Sequence, residues 1–422
     1  MMIRKLSICG IFAVFAATSF GEKLTMDEAI RLAKQNNGSL KAAQNDLVAA
    51  RARKIIAASS FMPTITPTAT YNDNKQENPN LSSSLTSSQA SLVWRPLDSG
   101  QRLANLKAAR DSVSAQGAQT QQTLRQLIFN VEQQFLETLR SQELEKVATA
   151  QQVRADKVLD QTKARVQVRD AARREILQAE ADSLNAKVNA IGAKNRTNTN
   201  SASLKAVIGL QNDYSNLELD SVTFIPSTDL PATIEASVNL GMKARPDLIS
   251  RRKSVDSQVN SLRGTEIDAG LTWSLDFSYS RQFSPNEASN RNTSFLLSYP
   301  LFDGGKSKAL VTAERANVDA SRALLLQAER DARSEIESTY MAYQQDQLRL
   351  SSAELALRAA RLNFEAADGS QKAGAASLIE VITAQVSLVT AESNFIEATY
   401  DVLISQLKLR LVTGLQLPGE DL

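Results

Sequence analysis

Two kinds of hydrophobic spacing divide the chain. In four short stretches apolar and polar residues alternate. Ile65, Ala69 and Tyr71 alternate with Thr64, Thr66, Thr68 and Thr70, and Ala90, Leu92 and Trp94 with Gln89, Ser91 and Val93. Trp273, Leu275, Phe277 and Tyr279 alternate with Thr272, Ser274, Asp276 and Ser278, and Phe295, Leu297 and Tyr299 with Ser294 and Ser298. A period of two predicts half-buried β-strands, in two hairpins over 63–97 and 271–301. Each stretch is roughly 8–10 residues, the length a tilted membrane-spanning strand needs. Tyr71, Trp94, Trp273, Tyr279 and Tyr299 lie on the apolar side, where interfacial aromatic girdles sit. A soluble sheet packing its apolar face on helices would show the same period.

Elsewhere the period is helical. Thr25 is placed to cap a helix with Asp27 and Glu28 in its first turn, and the pattern runs toward Ser60 with a break at Asn36-Asn37-Gly38. A counterpart runs from Thr233 to Gly264, interrupted at Arg245-Pro246. Long helices are predicted over 101–165 and 307–371, on the order of 100 Å each. Apolar residues recur at Leu124, Ile128, Val131, Phe135 and Leu139 in the first, and Leu348, Leu355 and Leu362 are spaced by seven in the second. These stripes are thin, as in a coiled coil. Each long helix reverses, near Val168–Ala172 or Ala373–Ala376, and returns as a shorter helix over 173–208 or 377–412. A strand-like segment, Leu217–Ile225, and Pro226 and Pro231 link the two halves.

The halves are copies. Residues 98–210 repeat at 303–415 without an insertion or deletion: Asp98 matches Asp303, Glu132 Glu337, Phe135 Tyr340, Glu175 Glu380, Leu204 Leu409 and Gly209 Gly414. Upstream, Leu40 matches Leu248 and Tyr71 matches Tyr279, at an offset of 208. The three-residue difference falls in the polar segment Asn72–Ser88. Loops tolerate length changes, so helices held to one length imply a fixed reach. The chain thus divides into residues 1–21, a first copy 22–228 with its helical hairpin at 101–208, and a second copy 229–422 with its helical hairpin at 306–413.

Composition narrows the chemistry. The 422 residues carry 48 Lys+Arg against 46 Asp+Glu, so no net field favours nucleic acid. There is no histidine, which removes the commonest general base and metal ligand. Arg4-Lys5, the apolar run from Ile8 to Ala17 and small residues at Ser19 and Gly21 read as a secretory signal. The sole cysteine, Cys9, leaves with it; a bulky Ile8 before Cys9 and an apolar run after it argue against lipidation. With no phosphate loop either, the chain reads as no enzyme, and no cofactor is expected.

Four strands cannot close a membrane barrel, and open edges in lipid are forbidden. Three chains would pool twelve strands and six copies around one axis. Here the sequence resembles the TolC-like outer-membrane efflux proteins. The resemblance rests on Leu24-Thr-Met-Asp-Glu-Ala-Ile, Ala244-Arg-Pro-Asp-Leu, Tyr299-Pro-Leu-Phe-Asp-Gly-Gly-Lys and Gly374 with Leu378-Ile-Glu-Val-Ile-Thr-Ala-Gln. It covers nearly the whole mature chain. It implies a mainly α fold: helical hairpins forming an α-barrel tunnel, plus four transmembrane strands per chain completing a twelve-stranded barrel in a homotrimer. It also implies an exit duct in the outer membrane of a diderm bacterium, with a large periplasmic part, docking on a periplasmic adaptor and an inner-membrane pump in efflux or type I secretion.

The resemblance assigns sites too. Asp98, Gly100, Asp303, Gly304 and Gly305 form the strand–helix junctions. Ala373, Gly374 and Ala375 form a small-residue tip for adaptor contact. At the first tip Arg169 and Asp170 depart from that pattern, amid Lys163, Arg165, Arg173 and Arg174, suggesting pairing with acids on the neighbouring tip. Glu175 and Glu380 sit just past the tips, where six carboxylates from three chains would line a periplasmic constriction and favour cations. A periplasmic coiled-coil scaffold or adaptor without membrane strands would instead dissolve without detergent.

Overall fold

The structure is a computed structural model that describes residues 23–77, 80–169, 172–210, 218–220 and 230–421. The signal segment with Cys9, Asp170 and most of the linker 211–229 lie outside these residues. In chain order the elements are α1 (Met26–Asn36), α2 (Gly38–Ser59), β1 (Thr64–Glu77), β2 (Asn80–Asp98), α3 (Gln101–Gln167) and α4 (Arg173–Ile208). The second copy repeats them as α5 (Ile234–Ala244), α6 (Pro246–Asp268), β3 (Thr272–Ser284), β4 (Ala288–Ser298), α7 (Lys306–Lys372) and α8 (Leu378–Thr413). Both long helices have 67 residues and both return helices 36. The register kept in sequence is therefore kept in space.

Local chemistry explains the boundaries. Thr25 Oγ1 accepts from the Glu28 amide at 3.2 Å, and Asn37 Oδ1 accepts from Leu40 at 3.0 Å to restart the helix after the break. Pro246 takes the first turn of α6, where its missing N–H costs nothing. In the linker, Leu219 forms a parallel bridge to Leu24.

The four strands form one antiparallel sheet in the order β1-β2-β3-β4. They are longer than the alternation predicts, at 14, 19, 13 and 11 residues. The added length lies in the polar stretch of the first hairpin, where the ladder continues from Tyr71↔Thr86 to Glu77↔Asn80. Ser, Asn and Thr there present no apolar face to alternate with, so hydrophobicity cannot reveal a pairing that the backbone hydrogen bonds make.

The main core gathers where α1, α3, α4 and the end of α8 meet, around Ile30, Ile128, Phe135, Leu204, Ile208 and Leu417. Its counterpart under α5 uses Ile336, Tyr340 and Leu409, the repeat mates of Val131, Phe135 and Leu204. The Tyr340 hydroxyl, absent from Phe135, donates to Ala232 O at 2.7 Å. The stripe Leu348, Leu355 and Leu362 is not the seam between α7 and α8. All three are exposed, and the helices pack instead through Leu357, Phe364, Leu388, Ala391 and Phe395. A stripe at period seven specifies a coiled-coil face but not which helix fills it.

Glu132 sits inside the main core, fully buried, with neither carboxyl oxygen hydrogen-bonded. Desolvation pushes it up to about 8, against the pull of Arg410 on α8, with Asp27 on α1 and Glu420 in the C-terminal segment adding to the rise. Its repeat mate Glu337 pairs with Arg333 at 2.9 Å near the surface.

The turns follow one rule with one exception. Gly100 and Gly305, Gly209 and Gly414, and Gly374 all have positive φ, between 68° and 102° together with Gly304. Arg169, the repeat mate of Gly374, holds φ 64° with a Cβ in place. At the second tip Gly374 N–H bonds Gln371 O and Ala375 N–H bonds Ser370 O, closing α7 in a Schellman turn. Arg169 N–H makes the matching bond to Val166 O at 3.1 Å.

Two expectations follow. Left-handed backbone disfavours an L-residue by roughly 1–2 kcal/mol, partly offset by the greater unfolded-state entropy of glycine. Arg169→Gly is expected to raise stability by about 0.5–1 kcal/mol, read from the denaturant midpoint. For Glu132, the unfolded chain ionises near about 4.3. Between that pH and about 8 the folded state keeps a proton the unfolded state has lost, so stability falls as pH rises. Glu132→Gln should melt well above the parent chain at alkaline pH, by on the order of a few kcal/mol, and match it in acid. A difference that does not change with pH would contradict this.

Candidate functional site: the sheet, the junctions and the tips

The sheet has two unlike faces. Its register aligns Ile65 with Leu92, Leu92 with Tyr279, Trp94 with Phe277, Leu275 with Phe295 and Trp273 with Leu297. These side chains share one face, with Tyr71 further along β1 on the same side. The rings of Trp273 and Phe295 stack at 6.3 Å, and the Arg291 guanidinium lies 5.7 Å from the Tyr279 ring centre. Among the described residues no helix packs on this face: Ile65, Tyr71, Phe295, Leu297 and Tyr299 are all more than half exposed. A soluble sheet laid on its own helices is thereby excluded for the isolated chain. The other face carries Thr64, Thr66, Ser91, Ser274 and Asp276, and there Arg95 donates to Asp276 at 2.6 Å. The outer strands β1 and β4 each pair on one side only.

At the junctions each aspartate holds the turn that leads into the helix, and Asp303 also accepts from an amide of the helix's first turn. Asp98 Oδ1 accepts from the Gly100 amide at 3.0 Å, and Asp303 Oδ1 accepts from Gly305 at the same distance. The second oxygens differ: Asp303 takes the Ser307 amide at 2.7 Å, whereas Asp98 takes Arg102 Nε at 2.7 Å. Hydrogen bonds from Ser307, then from Gly305, hold the Asp303 carboxyl below its usual range. Gly304 and Gly305 have open space around both. Arg102, which sequence reasoning passed over, braces the first junction. Its Nη1 donates to Ser60 O at 2.6 Å and Arg95 O at 2.7 Å, and it lies over the Phe61 ring at 4.7 Å. One cation thus ties the end of α2 to the end of β2. Its repeat mate is Ser307, so the pattern of the second copy held no signal for it.

At the tips Glu175 and Glu380 are the third residues of α4 and α8. Glu380 Oε2 accepts from the Ser377 amide at 3.4 Å while Ser377 Oγ accepts from the Glu380 amide at 3.3 Å, a complete capping box. Glu175 Oε1 accepts from the Ala172 amide at 3.3 Å, but Ala172 has no side-chain acceptor, so only half the box exists. Both glutamates are therefore helix-capping groups whatever else they do. Ala373 caps α7, followed by Gly374 and Ala375, and their small side chains leave the second tip bare. The acids of that tip are already engaged: Asp368 binds Lys372 at 2.6 Å and Glu380 caps its own helix. Among the described residues Lys163, Arg173 and Arg174 make no ion pair with these acids.

Comparison with known proteins fits this arrangement. TolC of Vibrio cholerae is 26% identical over 414 residues, spanning 92% of this chain and 90% of the relative. TolC of Escherichia coli is 22% identical, over 95% of this chain and 84% of that protein. Among solved structures, the outer membrane protein VceC of Vibrio cholerae superposes with a TM-score of 0.81 at 17% identity, covering 92% of this chain and 96% of that one. The Campylobacter jejuni CmeC outer membrane channel gives 0.79 at 18% identity, covering 92% and 85%. The sequence profile of the outer membrane efflux proteins matches residues 29–210 and 243–415, one match for each copy, and the chain belongs to that family.

Proposed function

We propose that this chain is the outer-membrane exit duct of a tripartite efflux or type I secretion system, assembled as a homotrimer. The observation that carries the proposal is the uncovered apolar face of a sheet with two open edges. In hydrocarbon every backbone group of β1 and β4 needs a partner, and four strands are too few to close a barrel. With an even number of alternating strands per chain, β4 of one copy meets β1 of the next antiparallel. Two chains would give eight strands, whose interior side chains fill; twelve leave a passage. The polar face with Arg95 and Asp276 then lines water and the Trp and Tyr residues meet lipid headgroups.

The helices support the same closure. α4 and α7 flank the layer formed with α3 and α8. Each carries an exposed heptad stripe: Leu177, Leu184 and Ile191 on α4, Met341, Leu348, Leu355 and Leu362 on α7. The two helices run in opposite directions, as neighbours in such a tube must. Exposed apolar area of this extent marks an interface. The tips end the tunnel, with Ala373, Gly374 and Ala375 offering close backbone approach to an adaptor and Arg169 and Asp170 marking the unlike tip. Glu175 and Glu380 supply a ring of carboxylates there. No step of bond chemistry is required; the duct supplies a water-filled path between pump and exterior.

The inner pairing of β2 with β3 sets the register of the outer one. Leu92↔Tyr279 inside the chain maps to Leu297 opposite Tyr71 of a neighbour. Directly opposed residues stand about 4.5–5.5 Å apart, within disulfide range. Tyr71→Cys with Leu297→Cys should therefore oxidise to covalent trimers in detergent or membranes; a monomeric chain that conducts no ions in bilayers would refute the duct. Glu175→Gln with Glu380→Gln keeps an acceptor for the caps and removes the charge. Cation preference in bilayer conductance should fall, and unchanged selectivity would remove the carboxylate ring while leaving the duct.

A further inference from the structure

Within the chain the first copy packs on the second through a set of contacts that run in one direction. α3 packs on α6 and on α8. Ser250 Oγ donates to Ala115 O at 2.8 Å, and Ser257 Oγ to Ala108 O at 2.9 Å. The strongest polar element in this interface is Arg125 on α3. Its side chain is 3% exposed, and its guanidinium grips the C-terminal end of α8. Nη1 donates to Gly414 O at 3.0 Å, Nη2 donates to Arg410 O at 3.3 Å, and Nη2 also donates to Leu415 O. Helix C-termini expose unpaired carbonyls and a partial negative charge, and a buried guanidinium fork satisfies both.

The repeat places a second arginine at the same position of the second copy. Arg330 on α7 is the mate of Arg125, at the offset of 205 that relates α3 to α7. Arg330 is exposed, and among the described residues it makes no hydrogen bond or ion pair. The end of α4 is likewise the mate of the end of α8. Gly209 has φ 75° against 77° at Gly414, and each closes its helix with the same turn, Gly209 N–H to Ala206 O and Gly414 N–H to Leu411 O, both at 3.3 Å. Each glycine also abuts the same place of the short helix beside it: a Cβ at Gly209 would meet Asn36 of α1, and one at Gly414 would meet its counterpart Ala244 of α5. The carbonyls of Gly209 and Leu210 therefore stand like those of Gly414 and Leu415, while Lys205 O also accepts from the Leu210 amide at 3.0 Å.

Other halves of the same interface are also unfilled. Gly264 on α6 lies against Asn105 on α3; the matching residues are Ile56 on α2 and Leu310 on α7, both exposed. Among the described residues α3 packs on α6 and α8, whereas the matching pairs of α7 with α2 and with α4 form no comparable packing.

From this we infer that Arg330 is an intersubunit clamp that binds the C-terminal end of α4, at Lys205, Gly209 and Leu210, of a second copy of this chain. The inference rests on the trimeric duct proposed above and deepens it. The subunit interface becomes a repetition of the interface inside the chain, head to tail, and closes into a ring of six like copies. Ile56 of the second copy packs on Leu310 in the same interface.

The test mixes two singly substituted full-length chains, Leu210→Cys and Arg330→Cys, in detergent. The mature chain has no other cysteine once the segment bearing Cys9 is removed. A short bis-maleimide should link the two variants to each other and not either variant to itself. In parallel, Arg330→Met should weaken assembly roughly tenfold or more per interface, as expected for a lost charge-assisted hydrogen bond, and lower the temperature of trimer dissociation. If the mixed chains stay trimeric by sedimentation yet do not cross-link, or Arg330→Met dissociates like the parent chain, the clamp is wrong and the duct stands. A parent chain that is monomeric by the same measurement overturns both.

Discussion

A sheet edge in hydrocarbon has no water to fall back on, and the rest of this molecule is organised around that fact. Four antiparallel strands present an apolar face to the outside, a polar face to the inside and two open edges. The backbone groups of β1 and β4 must be satisfied by other strands, since neither lipid nor the chain's own helices do so. In the proposed trimer, that requirement makes the chain a third of an object. It also accounts for the helical part, whose exposed heptads on α4 and α7 would be a liability on a monomer.

Closure of the proposed trimer would in turn govern lengths. When six like copies stand in a ring, every long helix starts at one plane and ends at another. A residue gained in one copy would lift one tip out of that plane. α3 and α7 accordingly match at 67 residues and α4 and α8 at 36, whereas the strand hairpins, which end in solvent, differ in length. Within that frame the copies diverge where their surroundings diverge. Phe135 is replaced by Tyr340 where a carbonyl is in reach. Arg102 braces one junction where Ser307 leaves the other open. Glu132 is buried beneath α1 and the C-terminal segment while Glu337 pairs at the surface.

Most of the fold was legible because its signals are local. The cap at Thr25, the breaks at Asn36-Asn37-Gly38 and Arg245-Pro246 and the reversals near 168–172 and 373–376 marked boundaries that hold to within about two residues. Two things were less legible. The ladder of the first hairpin extends through a stretch rich in Ser, Asn and Thr, which leaves no apolar period. The stripe Leu348, Leu355 and Leu362 reads as a coiled-coil face and lies on the exposed side of α7, because spacing defines a face and not its occupant. The tip glutamates were read for their charge; their capping bonds, to Ser377 and Ala172, follow from sitting three residues inside a helix.

By itself the sequence determined the duplication, the element order, the equal helix lengths and the amphipathic character of the strands, because each depends on residues close together along the chain or on two segments compared in register. The tertiary structure decided what distance along the chain conceals. It showed that among the described residues no helix covers the apolar sheet face, that Arg102 and Arg125 reach carbonyls on other elements, and that Glu132 is fully buried. It also showed that α3 finds neighbours which its copy α7 lacks. That asymmetry between identical elements is a matter of which surfaces are already occupied, and occupancy exists only once the chain is folded.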